Sequence, residues 1–271
     1  MDLSTSQFKK FQEFIYSKSG IRIPDTKIAL LSNRIRRRLK ECGLPDFQSY
    51  YDFVTSPGGR DELSGFLDAV TTNETSFFRT EKHFEWFQTD FISELIQRER
   101  RGEHPKSVRV WSAACSTGEE PYTLAICLVK NQLRLKGWKL EIVGTDISEQ
   151  ALQTAQAGVY RQRSLEQFSD TQRQRYFTKQ RDSEHWEVRP TLRDLVTFRN
   201  HNLMQPLRVP PFDCVFIRNV LIYFDRDSKR QVIGNLVPAM SKGGYLVTGP
   251  SEGIFDMLDM LTKQSPFLYQ K

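Results

Sequence analysis

The stretch VRVWSAACSTGEEPYTLA, Val108 to Ala125, decides the fold. Val108, Val110 and Trp111 form an apolar run too short for a helix, the small residues Ser112, Ala113 and Ala114 follow, and Ser116-Thr117-Gly118 is turn chemistry. Glu119 and Glu120 precede Pro121, whose missing N–H is no loss in the first turn of a helix; Tyr122, Leu124, Ala125, Leu128 and Val129 give that helix an apolar face. A buried strand, a loop of small residues and a helix N-terminus make the ligand-binding corner of an open parallel sheet. The loop is not GxGxxG, and two carboxylates stand where a pyrophosphate would need bare N–H groups. The corner therefore disfavours a dinucleotide and favours a ligand carrying positive charge, such as S-adenosylmethionine with its ammonium and sulfonium. The plainer alternative is that both glutamates merely decorate the positive end of a helix.

Toward the C-terminus, Leu140 to Ile147 reads as a second buried strand delivering Asp146 at its end, where a carboxylate can accept a ribose hydroxyl pair. Ser148 is the better N-cap for a helix over Glu149 to Ala157, so capping does not account for Asp146. No glycine occurs from Val159 to Ile233. Ser169 caps a short helix ending near Tyr176-Phe177, and His185 to Val188 with Leu195 to Phe198 are candidates for a small hairpin, Pro190 lying at its edge. Asn202-Leu203 leads into a proline-rich loop. Phe212 to Ile217 is a third buried strand, with Arg218 to Phe224 leaving its end and Asp225 or Asp227 capping a helix. Gly243-Gly244 turns into a strand over Tyr245 to Thr248, and Pro266 to Gln270 offers a last one.

Toward the N-terminus, Thr80 is placed as the N-cap of a helix burying Phe84, Phe87, Phe91 and Leu95. TTNETSFFR, Thr71 to Arg79, reads as a loop. The first seventy residues are a string of short helices: Phe8, Phe11 and Ile15 at helical spacing up to Gly20, then a helix with Asp25 as N-cap and Ile28, Leu31, Ile35, Leu39 and Cys42 on one stripe. Arg34, Arg37 and Lys40 project from the opposite side with Arg36 and Arg38 flanking it. Only Glu41 interrupts this charge, so the face suits an acidic partner as well as solvent. Further helices are expected over Phe47 to Val54 and Arg60 to Val70.

The 271 residues carry a net charge of +6, with 38% hydrophobic and 27% charged residues. This is ordinary soluble composition, sufficient for one large α/β domain and a small one. No stretch approaches a membrane span and MDLSTSQFKK is no signal peptide, which points to the cytoplasm. Four scattered cysteines and four histidines show neither a disulfide framework nor metal-ligand spacing.

Strands alternating with helices predict a doubly wound, mostly parallel α/β sheet, whose strand ends gather Ser112 to Glu119, Asp146, Asn202 and Arg218 to Tyr223 at one edge. TNETSFFR at 72 to 79, SAACSTGEEPYTLA at 112 to 125, GTDIS at 144 to 148, NL at 202 to 203 and RNVLIYF at 218 to 224 together resemble the chemotaxis receptor protein-glutamate O-methyltransferases, the CheR family. The resemblance implies a Rossmann-like class I methyltransferase domain at 107–271, with a small antiparallel β subdomain inserted at about 170–200. It also implies an N-terminal helical receptor-docking domain at 1–70, a linker and connecting helix at 71–106, and S-adenosylmethionine as methyl donor.

On that resemblance Asn73, Thr75 and Arg79 reach the cofactor from the loop, with Ala113 beside it. Glu119 meets its amino-acid end, Asp146 the ribose and Asn202-Leu203 the adenine, while Arg218, Asn219 and Tyr223 close the pocket. Arg79 and Tyr223 become the catalytic candidates. The acceptors implied are glutamates on the cytoplasmic helices of chemoreceptors, with Arg34, Arg36, Arg37, Arg38 and Lys40 guiding docking. No nucleic acid or membrane insertion is expected, a monomer is, and other signalling proteins are conceivable partners. Some family members grip a receptor C-terminal peptide through a glycine-containing loop of the subdomain; Lys179 to Pro190 has no glycine, and no such tether is expected. Two rivals stay open: a methyltransferase for nucleic acid or another substrate, and a non-catalytic S-adenosylmethionine-binding regulator. Against nucleic acid, Arg218-Asn219-Val220-Leu221 replaces the Asp/Asn-Pro-Pro-aromatic signature, and the basic run lacks interleaved aromatics.

Overall fold

The computed structural model describes residues 2–181 and 183–271. Its first part is a four-helix unit: α1 (Thr5–Ser19), α2 (Ile28–Glu41), α3 (Phe47–Thr55) and α4 (Arg60–Val70). Ser4 and Gln7 form a capping box on α1, and Gly20, in the left-handed region at φ 72°, ends it. Asp25 does not cap α2. It opens a single 3-10 turn, and its carboxylate instead accepts from Gln12 Nε2 at 2.9 Å. Phe11, Tyr50 and Phe66, each fully buried, lock the helices together through ring contacts at 6.0 to 6.3 Å.

After the loop 71–79, α5 (Glu81–Trp86) runs through a π turn at Phe87–Phe91 into α6 (Ile92–Arg100). Thr80 stands at the N-cap position but at φ 64°, with no capping bond from its side chain. There follow β1 (Ser107–Ala113), α7 (Glu119–Lys130), β2 (Lys139–Asp146), α8 (Glu149–Ala157), β3 (Val159–Arg161), α9 (Asp170–Tyr176), β4 (Phe177–Lys179), β5 (His185–Val188), α10 (Pro190–Arg193), β6 (Val196–Asn200), β7 (Phe212–Ile217), α11 (Arg226–Leu236), β8 (Met240–Thr248), β9 (Thr262–Ser265) and β10 (Leu268–Gln270).

Seven strands form one sheet in the order β6-β2-β1-β7-β8-β10-β9. The first five pair in parallel and the last two antiparallel. Helices cover both faces. One core joins Phe84, Phe87, Tyr122 and Ile126 to the sheet; the other joins Trp111 and Val215 to Val232 and Leu236 of α11. The strand expected from Tyr245 begins earlier, at Met240, with Gly243-Gly244 absorbed by a shift of register against β7.

The expected hairpin of His185–Val188 with Leu195–Phe198 does not form. β5 pairs antiparallel with β3 and β4 in a separate small sheet spanning 159–188, and Pro190 starts α10 rather than sitting at a strand edge. Val196–Asn200 instead joins the main sheet beside β2. Gly144 is the physical reason: a Cβ there would come within 2.8 Å of Phe198 Cδ1, so the missing side chain makes room for the Phe198 ring.

Candidate functional site

The carboxyl ends of β1, β2, β6 and β7 open into a cavity of about 570 Å³, within the roughly 300–1,000 Å³ usual for small-molecule sites. The helical unit roofs it: Ile21 makes an antiparallel bridge to Phe224, Arg22 N–H donates to Tyr223 O at 2.8 Å, and Asn202 Nδ2 donates to Lys18 O at 2.7 Å. Arg34, on α2, holds the linker over the mouth by donating to Val70 O, to Thr71 O at 2.9 Å and to Thr72 Oγ1 at 3.1 Å.

Asp146 is 6% exposed and receives Ser116 N–H on one oxygen at 2.8 Å and Ser148 N–H on the other at 2.9 Å. Burial outweighs these bonds and raises its pKa. Ser148 caps α8 as expected, accepting from Ala151 N–H. Asn73, Thr75, Arg79, Asp146, Asn202, Leu203, Arg218, Asn219 and Tyr223 all line the cavity. Asn73 Nδ2 donates to Ser148 Oγ at 3.3 Å, and Arg79 Nη1 to Glu74 O at 3.0 Å. Asn202 spends its side chain within the protein, on Lys18 O and on the N–H of Met204.

Two expected residues are not on the cavity wall. Ala113 is buried within β1, and Glu119 faces inward, accepting from Thr117 Oγ1 at 2.6 Å, with its pKa raised by burial. The neighbouring Glu120 lines the cavity instead, accepting from Ser112 Oγ at 2.7 Å and from Arg218 Nη1 at 2.8 Å. Helix α7 is buried on almost every side, so its periodicity carries no phase that separates adjacent glutamates. Arg218 also donates to Arg79 O and lies over Phe84, its guanidinium 5.3 Å from the ring centroid.

The cationic face of α2 is more neutralised than its sequence suggests. Arg38 pairs with Glu41 and, at 2.6 Å, with Glu62 of α4, which also accepts from Tyr50. Arg36 pairs with Asp2 at 2.8 Å. Arg37 and Lys40 are exposed, while Arg34 turns to the cavity. Glu41 is the one local acidic partner, as the sequence shows; Glu62, the second, arrives from another helix.

Sequence reasoning read Glu119 and Glu120 together as favouring a cation but gave the ligand contact to Glu119 alone, and it did not single out His201 on the cavity wall or the anchor Glu252, 1% exposed, whose carboxylate holds the N–H groups of Asn219 and Leu221. Backbone strain marks the same region: Phe78, Thr80, Ala114, Ser116 and Asn219 all have positive φ and all belong to the loops around the cavity.

Comparison with known proteins supplies the family. The model described as CheR methyltransferase, all-alpha domain, matches residues 6–71, and the model described as CheR methyltransferase, SAM binding domain, matches 73–266. The chain belongs to the CheR methyltransferase family. Chemotaxis protein methyltransferases of Salmonella typhimurium and Escherichia coli are each 35% identical over 98% of this chain, covering 90% and 91% of those proteins. One from Borreliella burgdorferi is 30% identical over 94% of this chain and 90% of its own length. As a CheR methyltransferase the protein is an enzyme whose cofactor is S-adenosylmethionine.

The residues present fit that cofactor. Glu120 is a fixed carboxylate that would suit an ammonium, and each Asp146 oxygen, with one N–H bound, keeps a lone pair that would suit a ribose hydroxyl. Leu203 and Ile147 supply apolar wall.

Proposed function

We propose that the enzyme methylates glutamate side chains on the cytoplasmic helices of chemoreceptors, giving glutamyl methyl esters in sensory adaptation, and that it works in the cytoplasm. The observation that carries this reading is the polarity of the cavity. Its depth holds the carboxylates Glu120 and Asp146 with one cation, Arg218, already paired to Glu120, whereas its rim holds the cations Arg22, Lys27, Arg34 and Arg79 against a single rim carboxylate, Glu74. The depth suits a cationic cofactor and the rim an anionic acceptor.

The cofactor supplies a methyl group already activated on a sulfonium. An acceptor glutamate, with a free pKa of about 4.3, is ionised at neutral pH and needs no general base. The protein's task is alignment and water exclusion. Desolvation at the mouth would push the acceptor toward its unreactive acid, and Arg79 offsets this by keeping the carboxylate charged and in place. The Tyr223 hydroxyl orients it by a hydrogen bond, while Val220, Ile222 and Leu30 present apolar surface that keeps water from the mouth. Arg37 and Lys40, with Arg34, Arg36 and Arg38 behind them, orient an acidic receptor helix along α2.

The deciding experiment supplies methyl-labelled S-adenosylmethionine with receptor-containing membranes and, separately, with nucleic acid. Label on the receptor that mild alkali releases as methanol supports the reading. Alkali-stable label, or label on nucleic acid alone, defeats it.

A further inference from the structure

We infer that Glu252, far from the reaction in sequence and out of contact with solvent, is the positioning residue that sets the loop from Arg218 to Tyr223. The inference rests on the methyltransferase reading of the cavity but adds a residue that stands outside its wall.

That loop must do two jobs at once. Arg218, at its start, fixes Glu120 and the backbone of Arg79; Tyr223, at its end, faces the cavity mouth. Between them the chain reverses through Asn219 at φ 57°, a left-handed conformation that asparagine tolerates better than other residues bearing a Cβ. That tolerance permits the turn but does not fix its direction, which the contacts around it must do.

Glu252 does so with both oxygens. Oε1 accepts the N–H of Asn219 and Oε2 accepts the N–H of Leu221 at 2.9 Å. Two backbone donors two residues apart converge on one anion only when the chain between them is turned, as it is in backbone anion nests. Here the anion is part of the protein. The Leu221 N–H so anchored opens the 3-10 turn Leu221–Tyr223, which closes with Tyr223 N–H on Val220 O at 3.1 Å and Phe224 N–H on Leu221 O at 3.0 Å. The position of Tyr223 is therefore referred back to the carboxylate through one short turn.

The sequence around Glu252 is shaped to deliver it. A side chain at Gly249 would collide with the Glu252 carboxylate and come within 3.1 Å of Asn219 N. Ile254, 1% exposed, anchors the following backbone in the core beside Leu221. Burial raises the carboxyl's pKa, and the two N–H bonds together with Lys229 and Arg218 oppose that shift.

The test compares wild type with Glu252→Gln and Gly249→Ala. Glutamine keeps the shape but turns an amide N–H₂ toward one of the two donors; alanine at 249 displaces the intact carboxylate. Each variant is read by thermal melting, by hydrogen exchange of the amides at 219 and 221–224, by calorimetric affinity for S-adenosylhomocysteine, and by kcat and acceptor KM on receptor membranes. We expect those amides to exchange more than about tenfold faster while the β1 and β2 amides stay protected, and kcat to fall by more than about tenfold with acceptor KM within about twofold. Two results overturn the inference. One is a lowered melting temperature with unchanged kcat, product affinity and loop exchange at temperatures where the variants are folded, which is what a merely structural carboxylate gives. The other is wild-type behaviour throughout. If one variant fails to fold, the other is read alone by the same criteria. A wild type that binds S-adenosylhomocysteine but leaves receptor glutamates unmodified counts against the acceptor assignment and not against Glu252, which is then judged on exchange and product affinity.

Discussion

Arg218, at the end of β7, and Glu120, in the first turn of α7, meet at 2.8 Å with side chains only 2% and 12% exposed. The pair fastens the end of β7 to the first turn of α7 and leaves one carboxylate edge to the cavity. Glu120→Gln strands a buried guanidinium, a change that costs about 3–5 kcal/mol where the pair is fully buried and toward the lower end here. We expect a lower melting temperature and at least about tenfold weaker cofactor binding. Glu119→Gln, replacing a carboxyl that burial already biases toward its neutral form, should alter cofactor affinity by less than about threefold. Calorimetry on the two variants separates them; equal losses would return Glu119 to the site.

Arg79 lies on the rim, half-exposed, and its guanidinium makes one bond to Glu74 O. Arg79→Ala should lower kcat by about 10²–10³-fold, the usual cost of one electrostatic donor at a reacting group, with cofactor affinity changed by less than about threefold. Parallel losses in both would show that Arg79 serves the cofactor and not the acceptor.

Cofactor affinity should depend on pH through Asp146. Its pKa in the ligand-free protein is raised by burial, and the ionised form is the one that accepts ribose hydroxyls. Binding therefore lowers the pKa and expels a proton, so affinity is full above the raised value and declines as pH falls through it. For stability the sign is opposite. The folded state holds this proton more tightly than the unfolded chain, so the ligand-free protein loses stability as pH rises from the ordinary carboxylate range through the raised value. Calorimetry in buffers of different ionisation enthalpy counts the proton. Zero release over the acidic range would remove Asp146 from the ribose site.

The basic residues of α2 divide by partner. Reversing Arg37 and Lys40 together should raise the receptor KM several-fold and flatten its salt dependence while cofactor affinity holds. Arg38→Ala should act on stability, because it leaves Glu62 buried beside Tyr50 without its cation, at a cost of about 3 kcal/mol. A wild-type KM indifferent to salt would make the α2 face a solvated surface.

An isolated receptor C-terminal peptide should bind no tighter than millimolar, because Lys179 to Pro190 carries no glycine to open a peptide-gripping loop; residue 182 of that stretch lies outside the described residues. Micromolar binding in a fluorescence titration would contradict this.

Where local chemistry dictated local shape, the sequence was legible. The apolar run at Val108, the turn at Ser116-Thr117-Gly118 and Pro121 each force one conformation, and Ser148, Ser169 and Asp225 cap their helices because their side-chain oxygens reach the third N–H. Partner choice was not legible. Val196 to Phe198 and His185 to Val188 are short strands of similar composition, and which sheet each joined depended on distant contacts such as Phe198 over Gly144. The same holds for charge: Arg38 looked free until Glu62 came from another helix. Glu252 was invisible because nothing local shows that a lone carboxylate will serve a loop 33 residues away.

The backbone bridge between Ile21 and Phe224, with Arg22 donating to the carbonyl of Tyr223, means that the catalytic half is no free-standing module. Pruning the N-terminal helices would strip the lip that carries Tyr223 of its neighbour and expose the bowl to bulk solvent. Chimeras that swap this front piece between homologues should thus retain turnover only when the incoming segment restores a matching seam at 21–22.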